Sequence, residues 1–147
     1  MAFSDSLGIP SVGVVSLEAL AYNIESNGLI CSLIDARNSN CYFGLYEKEN
    51  DEYTLLLPQI AHNISSIINK LKKYSKPITF VGSGALINKD LLLESLPNCS
   101  ISDKNNISSY KLGLAGLKSY VEGNYMNVKP LYLRKSQAER MLEENDN

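Results

Sequence analysis

Residues Leu29–Asp35, "LICSLID", form a nearly unbroken apolar run that ends on a carboxylate. A strand with one wet face alternates apolar and polar side chains, whereas a continuous run is how a central strand covered on both faces reads. A chain built around such a strand needs layers on both sides of a sheet, which points to an α/β architecture. The 147 residues suffice for one such unit with a core of its own.

The rest of the chain supplies the other layers. Polar Arg37-Asn38-Ser39-Asn40 predicts a tight turn into a second strand over Cys41–Glu47, and a turn over Lys48–Asp51 leads into a third over Tyr53–Leu57. Pro58 is expected to close this antiparallel meander. Ile60, Ile64, Ile67, Ile68 and Leu71 then recur at helical spacing, predicting an amphipathic helix from about Gln59 to Lys73. "PITFV" at Pro77–Val81 reads as a strand running into Gly82-Ser83-Gly84, and a helix beginning at Asn88 or Lys89 carries Leu91, Leu92, Leu93 and Leu96. Cys99–Ser102 is a last short strand, and Ile107–Glu122 a helix in which Gly113 and Gly116 suggest close packing on a neighbour. Near the start, Ser11–Val15 suits a strand, with Ser16 as N-cap of a helix through about Asn23. Ser136–Glu144 reads as an exposed helix that frays into a polar tail. The expected result is a mixed sheet with a three-strand meander covered by helices: one lobe over residues 1–135 and a C-terminal helix and tail over 136–147.

Composition narrows the function classes. A formal net charge of −2 and a pI near 5.4 do not describe a phosphate-backbone binder. The dense basic cluster, Lys70, Lys72, Lys73 and Lys76, reads as a solvated helix end. There is no long apolar stretch and no basic-then-apolar leader pattern, so the expected location is cytoplasmic, away from membranes. The three cysteines, Cys31, Cys41 and Cys99, show no metal-ligand spacing, and a single imidazole, His62, has no second histidine at metal-binding distance in the sequence. No metal and no resident cofactor is expected.

Four segments in order, "LGIPSVGVVSLEALA" (Leu7–Ala21), "IDARNSNCYFGLYE" (Ile34–Glu47), "FVGSGA" (Phe80–Ala85) and "PLYLRKSQAE" (Pro130–Glu139), together resemble the C-terminal half of the TsaB (YeaZ) family, bacterial glycoprotease-like proteins. The resemblance implies a ribonuclease-H-like fold of the actin-like ATPase superfamily. It also implies that this chain is the second lobe alone, without the N-terminal lobe that opens on an "AIDTS"-type strand. In that family TsaB acts with the catalytic subunit TsaD and the ATPase TsaE, which place a threonylcarbamoyl group on adenosine 37 of transfer RNA. The implied role is a non-catalytic scaffold lobe, with the N-terminal lobe, TsaD-like and TsaE-like proteins as partners and no direct transfer RNA contact. A lone lobe could also form a homodimer through the surface its partner lobe would cover.

Within the residues themselves the best chemical signal is Gly82-Ser83-Gly84, since glycines between a strand and a helix let backbone N–H groups approach a phosphate. Its position resembles the second-lobe nucleotide loop of actin-like ATPases, and ATP or ADP would be held only by a complete two-lobe protein. A tight strand-to-helix turn accounts for the same glycines. Ser83 is the one candidate nucleophile, for a weak nucleotide-binding or hydrolytic, glycoprotease-like enzyme, and it needs a base nearby. His62 is expected in the first turn of the Gln59–Lys73 helix, partly exposed. Asp35 and Arg37 are expected to pair and fix their turn, and Tyr42, Phe43, Tyr46 and Tyr53 to pack within the sheet.

Overall fold

The computed structural model describes residues 2–124, 128 and 130–133. Its sheet has the order β3-β2-β1-β4-β5. The apolar run lies at its centre as β1 (Gly28–Asp35), antiparallel to β2 (Asn40–Glu49) and parallel to β4 (Ile78–Val81). β3 (Glu52–Asn63) extends the meander to one edge, and β5 (Cys99–Ile101) pairs in parallel with β4 at the other. Around it stand α1 (Ala2–Leu7), α2 (Ser16–Ala21), α3 (Ile64–Leu71), α4 (Ser83–Ile87), α5 (Lys89–Ser95) and α6 (Ser109–Val121).

Side chains of β1 divide between two cores, as the period of two requires. Leu29, Cys31 and Leu33 join Phe43, Leu45 and Phe80 beneath Ile64, Ile67, Ile68 and Leu71 of α3 and Leu92 of α5. Ile30, with Ile34 at the margin, faces the other way, against Leu20 and Ala21 of α2, Tyr46 and Val81. Ser32 shares that second set of positions and is fully buried, its Oγ without a hydrogen-bond partner among the described residues. Each fully buried Leu, Ile or Phe contributes roughly 1.5–3 kcal/mol.

Four expectations are corrected. β3 does not stop at Pro58 but continues to Asn63, and α3 starts only at Ile64, so Ile60 and His62 belong to a strand. Two features make this possible: β3 is an edge strand, and its register against β2 slips on either side of Leu45. A residue without an N–H is tolerated where the ladder is already interrupted. Asn63 then caps α3, its side chain accepting a hydrogen bond from the Ser65 N–H at 3.0 Å. Residues 11–15 do not enter the sheet. Instead Val14 lies against α6, 3.7 Å from where a Cβ on Gly116 would stand, and Val128 covers Gly13. The small residue at 116 therefore serves the close packing expected of it, whereas Gly113 faces open space. Ser16 is the first residue of α2 rather than its cap, a position held by Val15 without a side-chain bond. Finally, α4 begins directly at Ser83, six residues before the start of the helix that the leucine pattern marks. The helix expected at Ser136–Glu144 lies outside the described residues, and residues 130–133 are not in a strand.

Candidate functional site

The carboxyl ends of the parallel strands β1 and β4 meet at one end of the sheet, the place where open α/β folds usually put their ligands. Here β4 turns through Gly82 into α4. Gly82 has φ 108°, and a Cβ on it would stand 2.3 Å from the Leu33 carbonyl oxygen and 2.9 Å from Leu20 Cδ1. Only glycine fits. Gly84 is pressed almost as hard, its Cβ position lying 3.0 Å from Cys41 Sγ and 3.1 Å from Leu33 Cβ. Both glycines thus let the turn sit directly on β1.

Several polar groups of the turn are engaged within the protein. The Gly82 N–H donates to Asn105 Oδ1 at 2.8 Å, and Asn105 in turn donates to the Ser102 carbonyl. Ser83 Oγ accepts from the Asp35 N–H at 3.2 Å, tying the turn to the end of β1. Asn88 Nδ2 donates to the Gly84 carbonyl at 2.8 Å. α4 has five residues, too few for an appreciable dipole at its start. Asn105 carries no sequence signal for this role, because it reaches Gly82 across 23 residues of chain.

Asp35 is brought to Ser83, but its carboxylate serves its own turn: Oδ1 accepts from the Arg37 backbone N–H at 3.0 Å. The expected Asp–Arg contact is therefore an Asx-type turn made by the main chain of Arg37. Arg37, Asn38 and Ser39 all have positive φ, a run that non-glycine residues seldom adopt. Asn40 holds it, its N–H donating to the Arg37 carbonyl at 3.0 Å and its Nδ2 to the Asn38 carbonyl at 2.9 Å.

His62 is half-buried on β3, directly opposite Cys41, which is itself opposite Asp35. The register thus aligns Asp35, Cys41 and His62 in a row across three strands, which the sequence reading did not anticipate. Cys41 is nonetheless a poor nucleophile. Burial and, behind it, the Asp35 charge push its thiol up to about 11, against a small opposing effect of the Asn88 hydrogen bond. Cys31 is pushed further up by burial. Among the described residues, no group of three His, Cys, Asp or Glu side chains could hold a metal, and no hydrogen bond joins Ser83 to His62. The basic cluster Lys70, Lys72 and Lys73 is exposed at the end of α3, and Lys76 is bridged to Glu47 and, at 3.9 Å, to Glu49.

A family model described as "TsaD: tRNA N6-adenosine threonylcarbamoyltransferase" matches residues 1–141. The chain belongs to this family. Over 138 residues it is 29% identical to the tRNA threonylcarbamoyladenosine biosynthesis protein TsaB of Bacillus subtilis (strain 168), an alignment covering 91% of the chain and 60% of that relative. Among solved structures it resembles YeaZ from Pseudomonas aeruginosa, with a TM-score of 0.66 at 18% identity over 89% of this chain and 64% of that one. A crystal structure from the same organism of a protein "with similarity to peptidase YEAZ" gives 0.63 at 20% identity, over 90% and 63%. The chain spans about three fifths of the length of these relatives. The ribonuclease-H-like, actin-like fold expected from the sequence is thus the fold observed. No helix among the described residues is long and apolar enough to cross a membrane.

Proposed function

We propose that this chain is a non-catalytic scaffold lobe in the synthesis of N6-threonylcarbamoyladenosine on transfer RNA, working beside a TsaD-like transferase and a TsaE-like ATPase. The observation that carries the proposal is the similarity to Bacillus subtilis TsaB over nearly the whole chain. The geometry of the Gly82 turn supports the non-catalytic part, since its first N–H and the Ser83 hydroxyl are committed to Asn105 and Asp35. A nucleotide-binding or hydrolytic role for Gly82, Ser83 and Gly84 draws less support from the same contacts. Apolar side chains left in solvent along α6, Tyr110 at 70%, Leu117 at 59% and Val121 at 76% exposure, suit a lobe that works against another protein surface, such as an N-terminal lobe or a second copy.

Depleting the protein in the organism that makes it and digesting its transfer RNA to nucleosides for mass spectrometry tests the assignment. Threonylcarbamoyladenosine is expected to fall with the protein, and an unchanged level refutes the role. Ser83→Ala, expressed in place of the original, is expected to keep the modification at its normal level. Loss of the modification with the folded protein still present would overturn the non-catalytic reading.

A further inference from the structure

At the opposite end of the sheet from the Gly82 turn, the β2–β3 hairpin, the residues after α2 and one side of α6 enclose a cleft of about 530 Å³. That volume lies within the roughly 300–1,000 Å³ of small-molecule sites. Its most unusual wall is Lys48, which stands on β2 between Gly28 and Tyr53 and is only 5% exposed. The Lys48 ammonium donates to the Asn50 carbonyl and lies 5.5 Å from the centre of the Tyr53 ring, which is itself stacked on Tyr22 at 4.1 Å. An ammonium has three N–H donors, so one carbonyl leaves this one under-used.

The other two lysines of the cleft are neutralised where they stand. Lys111 pairs with Glu25 at 2.8 Å, and Lys118 is bridged to Glu52 and, at 4.0 Å, to Glu122. Among the described residues, no carboxylate lies within ion-pair distance of Lys48. A nearly buried cation with no carboxylate in contact, only the more distant charge of exposed Glu25, has capacity for an anion. The cleft can receive it.

We propose that this cleft binds a small molecule bearing a compact oxyanion, of the phosphate-monoester class, with the anionic group on Lys48. Lysine binds phosphate as a point charge, and a phosphate monoester, carrying about −1.5 to −2 near neutral pH, gains more from that charge than a singly charged carboxylate does. Glu25 and Asp51 also line the cleft, so an extended polyanion running past both is disfavoured relative to a compact anion seated on Lys48. The Tyr22–Tyr53 pair gives the site an apolar wall for the carbon skeleton. This inference is independent of the role in transfer RNA modification.

The test is calorimetric titration of the full chain with inorganic phosphate and with glycerol 3-phosphate, using acetate as the carboxylate control. Saturable binding is expected for both phosphates, at least about ten-fold tighter than for acetate. Lys48→Met, which keeps the packing of the stem, should weaken phosphate binding at least about ten-fold, while Lys70→Met on exposed α3 should leave it unchanged. Absence of saturable phosphate binding, equal binding of acetate, or full binding by folded Lys48→Met would each overturn the proposal. Should Lys48→Met not fold, the Cε resonance of Lys48 in the unsubstituted chain gives the same answer: it must shift with phosphate and saturate with the calorimetric Kd, and a resonance that stays still refutes the site.

Discussion

Replacing Gly82 by Ala puts the proposed reading of the turn to its hardest test. The new Cβ would stand 2.3 Å from the Leu33 carbonyl oxygen, 2.9 Å from Leu20 Cδ1 and 3.2 Å from the Leu33 carbonyl carbon. Leu20 can shift, but the Leu33 carbonyl belongs to the central strand and cannot move without disturbing the β1 pairings on both sides. A φ of 108° adds backbone strain of about 1–3 kcal/mol for any L side chain. The overlap adds a further cost of about 1–3 kcal/mol. Together they give a loss near 4 kcal/mol, a large share of the 5–15 kcal/mol that holds a typical domain together. With an unfolding entropy of about 2.1 cal/mol/K per residue, this corresponds to a Tm lower by roughly 13 °C. Urea unfolding followed by far-ultraviolet circular dichroism, with a thermal scan beside it, measures both quantities. A loss below about 1 kcal/mol would mean that the turn is not locked onto β1, and the packing account of Gly82 would fall.

Three further outcomes follow from the structure. Gly113 lies inside α6 with open space around its Cβ position, so Gly113→Ala should stabilise the protein by about 0.5–1 kcal/mol in the same urea assay. Asn63→Ala removes the side-chain cap of α3 and should cost about 1 kcal/mol, with Asn63→Ser recovering most of it. Glu18 is raised above its ordinary 4.5 by burial, with Lys118 pulling it partly back and Glu122 adding a little. The folded state then holds this proton more tightly than the unfolded state does. The stability Glu18 contributes is fully present below pH 4.5 and is lost as pH rises through the raised value. Glu18→Gln should therefore be more stable than the unsubstituted chain at pH 7, by less than about 1 kcal/mol because the side chain is only half-buried, and the gap should close below pH 4.5.

The sequence by itself determined what local pattern can carry. Leu29–Asp35 could be satisfied only at the centre of a sheet, and the turn residues on either side of β2 set the meander, because hydrophobic period and turn chemistry act over a few residues. The leucines of α5 and the isoleucines of α3 likewise announced their helices. Tertiary structure decided the rest. Whether Pro58 ends a strand depends on whether that strand lies at an edge with a broken register, which no window around Pro58 contains. Whether Ser11–Val15 becomes a strand depends on the partners within reach, and here it packs on α6 instead. The candidate site divides in the same way. Gly82-Ser83-Gly84 is visible as a motif, but its Gly82 N–H and its Ser83 hydroxyl are engaged by Asn105 and Asp35, brought in from 23 and 48 residues away. The cleft at Lys48 has no motif at all: it exists because β2, β3 and α6 bring charges together whose spacing along the chain says nothing of their distance in space.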